Sequence, residues 1–383
     1  MKYRRFGKLE WEISEVSLGL LRKEEAIAGL DAVTRPERVK AIRYAIDRGV
    51  NYVNMGYPFY FKNPQKECEY VTEALDDGYH NKIKLAINIP ARGISSYQDL
   101  NKALNEQLRL FDIKKADFCV IDDIDAGTWD KIKSIDMESW VGESISSGIV
   151  GQVGIGFHDD PHFLKRILDA CRQWAFIQVE LSLVDYMHHP GVGCFNYAKE
   201  KDIAVIVSDV TKGGRLLKNI PEDILEIIKK SGKKMRQEER YIRWALSFEN
   251  VSSALMSSYA EFSTVEQIGT YLAYIESFDP VDVDMWEMLE ATKIREAYYA
   301  IRDCLCTTCR CCMPCPHGID APRIIELINE EKMFSDEGIP KLQYNLENHK
   351  KSKCTQCGIC VKQCKKHFPI DEIVKKACEK YAQ

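Results

Sequence analysis

At 383 residues the chain is too long for one small domain and long enough for a large barrel plus a small module. Its hydrophobic content of 45% supports a sizeable core, and its charged content of 29% is ordinary for a solvated surface. The formal charge of -5 leaves no basic excess to neutralise phosphates, which excludes a general nucleic-acid binder. No apolar run is long enough to span a bilayer, and the first residues, Met-Lys-Tyr-Arg-Arg-Phe, carry no signal-peptide core; a cytoplasmic protein is expected.

Short apolar runs alternate with amphipathic helical stretches up to about residue 275. In chain order the strand candidates are "SEVSLGL", "VNYVNMG", "KIKLAINIP", "ADFCVID", "QVGIGFHD", "FIQVELSL", "IAVIVSDV" and "SSALMSS". Helical patterns such as "PERVKAIRYAIDRG", "YQDLNKALNEQLRLF" and "DPHFLKRILDACRQW" fill the gaps. Eight strands alternating with helices predict an α/β fold, a parallel (β/α)8 TIM barrel over residues 1–275. An open doubly wound sheet is the alternative, but no glycine-rich dinucleotide loop follows the first strand. Residues 276–302 read as a charged helical connector, and 303–383 as a separate cysteine-rich module.

Ten of the fifteen cysteines fall between Cys304 and Cys364. In a reducing compartment such clustering points to metal rather than to disulfides. "CTTCRCCMPCP" places Cys306, Cys309, Cys312 and Cys315 at two-residue gaps, and "CTQCGICVKQC" gives Cys354, Cys357, Cys360 and Cys364. Such gaps let three thiolates on one loop reach three corners of a cubane, and the last cysteine of each run crosses to the other cluster in two-cluster ferredoxins. The expected sets are therefore Cys306, Cys309, Cys312 and Cys364 on one [4Fe-4S] cluster, and Cys315, Cys354, Cys357 and Cys360 on the other. Zinc is the alternative for paired C-x2-C motifs, but it does not call for the additional cysteine that closes each run. Cys304 and Cys311 fall off register and read as non-ligands, while Cys68, Cys119, Cys171, Cys194 and Cys378 read as small buried hydrophobes.

Helical text separates the two motifs, so the module is similar to the α-helical ferredoxins, in which two clusters form a short electron relay. Lys351, Lys353, Lys362, Lys365 and Lys366 surround the second motif. They read either as a solvated face that offsets cluster charge or as a docking patch for an acidic redox partner.

"MKYRRFGKLEWEISEVSLGL", "DRGVNYVNMGYPFY", "GQVGIGFHDDP", "FIQVELSLVDY", "YAKEKDIAVIVSDVTKGGRLL" and "CMPCPHGID" together resemble the aldo-keto reductases, in particular the branch with a C-terminal ferredoxin-type extension. The resemblance implies carbonyl reduction by NADPH, with a tyrosine as proton donor, a lysine and an aspartate that tune it, and a histidine that orients the substrate. At those four positions this chain has Phe59, Asn88, Asn54 and Asp122 in turn. Phenylalanine has no proton to give and asparagine supplies no cation, so ordinary carbonyl chemistry is not expected. Tyr60 and His158 are the candidate substitutes. The resemblance also assigns Gln178 to a nicotinamide amide, and "TKGGRLL", with Lys212, Gly213, Gly214 and Arg215, to a phosphate-binding loop. Against this, Gly156 replaces a serine or asparagine and "VEQIGTYLAY" lacks an adenine-binding Glu-Asn pair, so NADP(H) or another phosphate-bearing ligand stays open. Asp123, Glu180 and Asp209 add to the polar strand ends, whereas the adjacent His188 and His189 read as loop residues rather than metal ligands.

The expected function is an iron–sulfur electron-transfer component of an oxidoreductase system. The alternatives are an active oxidoreductase with a non-standard barrel site, and a non-redox assembly or sensor protein whose clusters are structural.

Overall fold

The structure is a computed structural model that describes residues 1–21, 33–186, 191–257, 262–277, 279, 283–347, 349 and 353–381. His188, His189 and Lys351 lie outside the described residues. The chain divides into two compact units, one of residues 1–214 and 235–288, the other of residues 215–234 and 289–383. Segment 215–234, which the sequence pattern leaves in the barrel, belongs to the second unit.

The first unit opens with an antiparallel hairpin, β1 (Tyr3–Phe6) and β2 (Leu9–Ser14). Eight further strands follow: β3 (Val16–Gly19), β4 (Tyr52–Asn54), β5 (Lys84–Pro90), β6 (Ala116–Ile124), β7 (Val150–Phe157), β8 (Trp174–Glu180), β9 (Ala204–Ser208) and β10 (Ser253–Ser257). They close into a parallel barrel in the order β10-β3-β4-β5-β6-β7-β8-β9. Strands buried on both faces need near-continuous apolar text, and β9 and β10 are buried along their whole length. The eight strand candidates all fall in this barrel.

The hairpin was not foreseen, and it decides which end of the barrel is open. Phe6 is fully buried and meets Phe118 and Phe176, near the beginnings of β6 and β8, with ring centroids 5.3 and 5.5 Å apart. Tyr52 and Trp11 complete this aromatic plug. The strand beginnings are thereby stoppered, and in barrels of this kind sites form over the strand ends. Phe6→Ala should destabilise the barrel by about 3–5 kcal/mol, the usual cost of deleting a buried aromatic ring; thermal and denaturant unfolding followed by near-UV circular dichroism checks this.

Helix starts after the strands are fixed by short acceptors. Ser96 accepts from the Asp99 amide at 3.2 Å, Asp125 from the Thr128 amide at 2.7 Å and Asp160 from the His162 amide at 2.8 Å. These caps set where the loops at the open end stop.

The second unit is helical. Helices Ala321–Phe334, Gly338–Leu346 and Ile370–Tyr381 pack around Ile324, Leu327, Ile370, Val374 and Tyr381, and the cysteine loops join the same core. Arg323 ties it electrostatically, donating to Glu326 at 2.7 Å and to Glu347 at 2.9 Å. Burial works against its charge, yet the three neighbouring carboxylates Glu326, Glu347 and Glu330 raise its pKa well above the ordinary value.

Candidate functional site

At the open end of the barrel, Asn54 ends β4, Asn88 lies on β5, Asp122 on β6 and Glu180 at the end of β8, while His158 follows β7 directly. The register of β6 against β7 slips between Ile121 and Ile124, and Asp123 adopts a left-handed backbone with φ 57°. Such a bulge re-aims the side chains around it. Here it turns the Asp122 carboxylate over β7, where the space exists only because residue 156 is glycine. A Cβ on Gly156 would stand 1.8 Å from Asp122 Oδ1 and 3.2 Å from Asp122 Cα. Asp122 in this position therefore requires glycine at 156.

A continuous polar chain follows from that placement. Asn88 Nδ2 donates to Asp122 Oδ2 at 2.8 Å, and the Asp123 amide donates to Asp122 Oδ1 at 2.9 Å. His158 lies between two carboxylates, with Nε2 3.5 Å from Asp122 Oδ1 and Nδ1 3.3 Å from Glu180 Oε1. Lys212 Nζ stands 3.9 Å from Glu180 Oε2 and 2.9 Å from Asp185 Oδ2, and Ser182 Oγ donates to Asp185 at 2.8 Å. Burial by itself would lower the His158 pKa. The interactions with Asp122 and Glu180, together with their charges, outweigh it and raise the pKa well above 6.5.

The sign of the consequence follows from linkage. A histidine whose folded pKa exceeds its unfolded one stabilises the fold fully below the unfolded value, about 6.5, and loses that contribution as pH rises through the folded pKa. His158→Gln should therefore lower the thermal midpoint most near pH 6 and converge on the parent protein in alkaline buffer. A pH series of paired melts, with imidazole resonances followed by NMR, reads both the window and the direction.

The remaining barrel positions divide. Asn54 is 2% exposed; its Nδ2 donates to Gln178 Oε1 at 3.2 Å and its Oδ1 accepts from the Gly56 amide at 2.8 Å. Phe59 is 40% exposed on the short turn Pro58–Tyr60, with its ring 5.2 Å from Tyr57. The Tyr60 hydroxyl donates to the Asp123 carboxylate at 3.5 Å, a long contact with an anion, and burial raises the Tyr57 phenol. Lys212 is 6% exposed and turns its ammonium to Asp185 and Glu180, while a Cβ on Gly213 would meet open space and the Gly214 amide donates to Thr211 Oγ1. Arg215 opens the second unit, where it pairs with Glu330 at 2.8 Å and covers the Phe334 ring. Asp185 and Ser182 were missed in the sequence; "ELSLVDY" offers only a polar residue three positions after another.

In the second unit, Cys315, Cys354, Cys357 and Cys360 all line one cavity of about 410 Å³, counting the space at its mouth. Cys312 also reaches it, and Ile319, Ala321 and Val374 are among its apolar lining. Cys306 lies within electrostatic reach of Cys309 and Cys364, and Cys312 of Cys306. The Thr308 amide donates to the Cys306 thiol and the Cys311 amide to that of Cys309. These bonds need the loop to reverse between cysteines, and Thr308, Arg310 and Gln356 carry φ values of 52°, 54° and 54°. Cys304 is held through its backbone by Asn329, at 2.8 and 3.3 Å, and Cys311 Sγ lies 3.4 Å from Cys309 Sγ. Among the described residues no three histidine, cysteine or acidic side chains converge on a point that would hold one metal ion. Tetrahedral zinc needs sulfurs about 3.8 Å apart, given Zn–S bonds of ~2.3 Å. Cysteines placed around one cavity are a donor set that a polynuclear cluster could use.

Residues 17–293 match the family model "Aldo/keto reductase family". The chain belongs to the aldo/keto reductase family. The match covers the barrel and ends before the first cysteine motif, so the motifs lie outside it. Among solved structures, the chain is similar to the aldo-keto reductase AKR11C1 from Bacillus halodurans in its holo form, with a TM-score of 0.60 at 18% identity over 77% of this chain and 96% of that one. It is also similar to an aldo-keto reductase from Klebsiella pneumoniae in complex with NADPH, with a TM-score of 0.58 at 16% identity over 77% and 95% of the two chains. At such identities the likeness is one of fold. A comparison with curated protein sequences finds no match. No helix among the described residues is long and apolar enough to cross a membrane.

Proposed function

We propose that this family member is an iron–sulfur redox protein, an electron-transfer component of an oxidoreductase system, whose barrel has given up the family's proton-donating tetrad. The carrying observation is that Cys315, from the first cysteine run, lines the same cavity as Cys354, Cys357 and Cys360 from the second. That placement supports the crossed ligation that a pair of [4Fe-4S] clusters would call for. Cys306, Cys309, Cys312 and Cys364 would hold the other cluster. When bound, such clusters exchange single electrons with a partner. The chain's own residues shape the site: Ile319 and Val374 keep water from one wall, and the amides of Thr308 and Cys311 offer hydrogen bonds to sulfur. Lys353, Lys362, Lys365 and Lys366 are exposed around the second motif, with apolar Leu305 and Ile359 also at the surface. Exposed lysines beside exposed apolar residues suit transient docking of an acidic redox protein.

In the barrel, Asn54, Phe59, Asn88 and Asp122 stand in place of aspartate, tyrosine, lysine and histidine, and the Tyr60 phenol faces a carboxylate rather than an ammonium. A second reading, an oxidoreductase that uses NADP(H), draws on Gln178 and on the NADPH held by the Klebsiella relative. Metal and sulfide analysis after anaerobic reconstitution tests the first reading: about eight irons and eight sulfides per chain are expected for two four-iron centres. Stoichiometric zinc without sulfide would overturn it.

A further inference from the structure

Cys311 belongs to neither cluster set. It falls between Cys309 and Cys312 in "CTTCRCCMPCP", off their two-residue register. Its Sγ nevertheless stands 3.4 Å from Cys309 Sγ. A disulfide bond is about 2.05 Å long, so roughly 1.4 Å of approach joins the two sulfurs. In an extended chain the Cα atoms of residues 309 and 311 would lie about 6.6 Å apart, near the upper limit that a disulfide spans. Arg310 between them has φ 54°, which folds the chain back and shortens that span. The turn is anchored, because the Arg310 guanidinium donates to Asp320 Oδ2 at 3.0 Å. The Cys311 amide also donates to the Cys309 thiol, which holds that sulfur over the turn.

Exposure divides the roles of the two thiols. Cys309 is exposed and Cys311 half-buried, so an oxidant arriving from solvent meets Cys309 first and Cys311 stands ready behind it. An accessible thiol with a second one poised beside it is the usual arrangement of redox-sensing cysteines. From this contact we infer that Cys309 and Cys311 form a modification site, a thiol pair that a small-molecule disulfide oxidises to an internal disulfide. The Cys309 thiolate attacks one sulfur of the small disulfide, whose S–S bond breaks and releases one small thiol. The Cys311 thiolate then attacks the Cys309 sulfur of the mixed disulfide, and the second small thiol leaves. Two protein thiols lose two electrons, the small disulfide gains them, and the two protons end on the released thiols. The consequence rests on the redox reading above. Once bonded to Cys311, Cys309 no longer offers a thiolate to iron, so the first cluster cannot assemble, whereas Cys315, Cys354, Cys357 and Cys360 keep theirs.

The test treats the reduced, metal-free full chain with one equivalent of oxidised glutathione and maps the products by tandem mass spectrometry after acid quenching. Cys309–Cys311 should be the first linked pair, with two glutathiones released per chain oxidised. Cys311→Ser should instead retain one glutathione on Cys309. Linkage of Cys306 to Cys309, or of Cys354 to Cys357, ahead of this pair would overturn the inference. So would glutathione that stays on Cys309 in the parent chain. On anaerobic reconstitution the oxidised chain should take up about four irons fewer than the reduced one, and should recover them after dithiol treatment. Full loading of the oxidised chain would also overturn the inference. A reduced chain that loads no iron would instead sink the redox reading, and the mapped disulfide alone would then decide the inference.

Discussion

Cys315→Ala should reduce the iron of the reconstituted chain from about eight to about four atoms, and the missing half should be the centre held by the second motif. The expectation is specific because Cys315 sits within the first cysteine run. If each run bound its own metal, losing Cys315 would disturb the centre of the first run and leave Cys354, Cys357 and Cys360 untouched. The proposal of crossed ligation expects otherwise, because those three cysteines line one cavity with Cys315, which Cys312 also reaches. Cys364→Ala is the mirror experiment: it lies in the second run but within electrostatic reach of Cys306, and should cost the first centre. Electron paramagnetic resonance of the reduced variants tells which centre survives. Loss of the first centre in Cys315→Ala and of the second in Cys364→Ala would refute crossed ligation.

The second large effect lies in the barrel. Gly156→Ala puts a methyl 1.8 Å from Asp122 Oδ1, inside any tolerable contact. The carboxylate is not free to swing aside, because Asn88 and the Asp123 amide hold it, and Asp122 Cα stands only 3.2 Å from the new methyl. Overpacking of this kind costs about 1–3 kcal/mol, and release of the Asn88 contact adds to it. The diagnostic is the cycle with Asp122→Ala: in that background the same methyl should cost under about 1 kcal/mol, a coupling expected only of residues in contact. Equal costs in both backgrounds would mean that the two positions are independent. The variant should also lower the His158 pKa, because Asp122 is one of the two carboxylates that raise it.

Much of the architecture was legible because parallel strands buried on both faces write themselves as apolar runs. β8 and β9 are plain in "FIQVE" and "AVIVS". The plug was harder: "YRRF" and "LEWEIS" alternate as a hairpin does, yet nothing local says that Phe6 will lie against Phe118 and Phe176. Segment 215–234 is an amphipathic helix by pattern, and pattern alone does not say which unit its apolar face joins. Asp122, His158 and Glu180 were each visible as polar strand ends. Their convergence was not, because it depends on the β6 bulge and on the missing side chain of Gly156 on the neighbouring strand. Lys212 lies in glycine-rich text that suggests phosphate, and its contacts with Asp185 and Glu180 could not be read from that text.

The most direct measurement is an anaerobic reductive titration of the reconstituted full chain, followed by its visible absorption. The account predicts uptake of about two electrons per chain, one for each four-iron centre, with reversible bleaching on reduction and recovery on reoxidation. A chain that takes up no electrons while carrying its metal in full would contradict it.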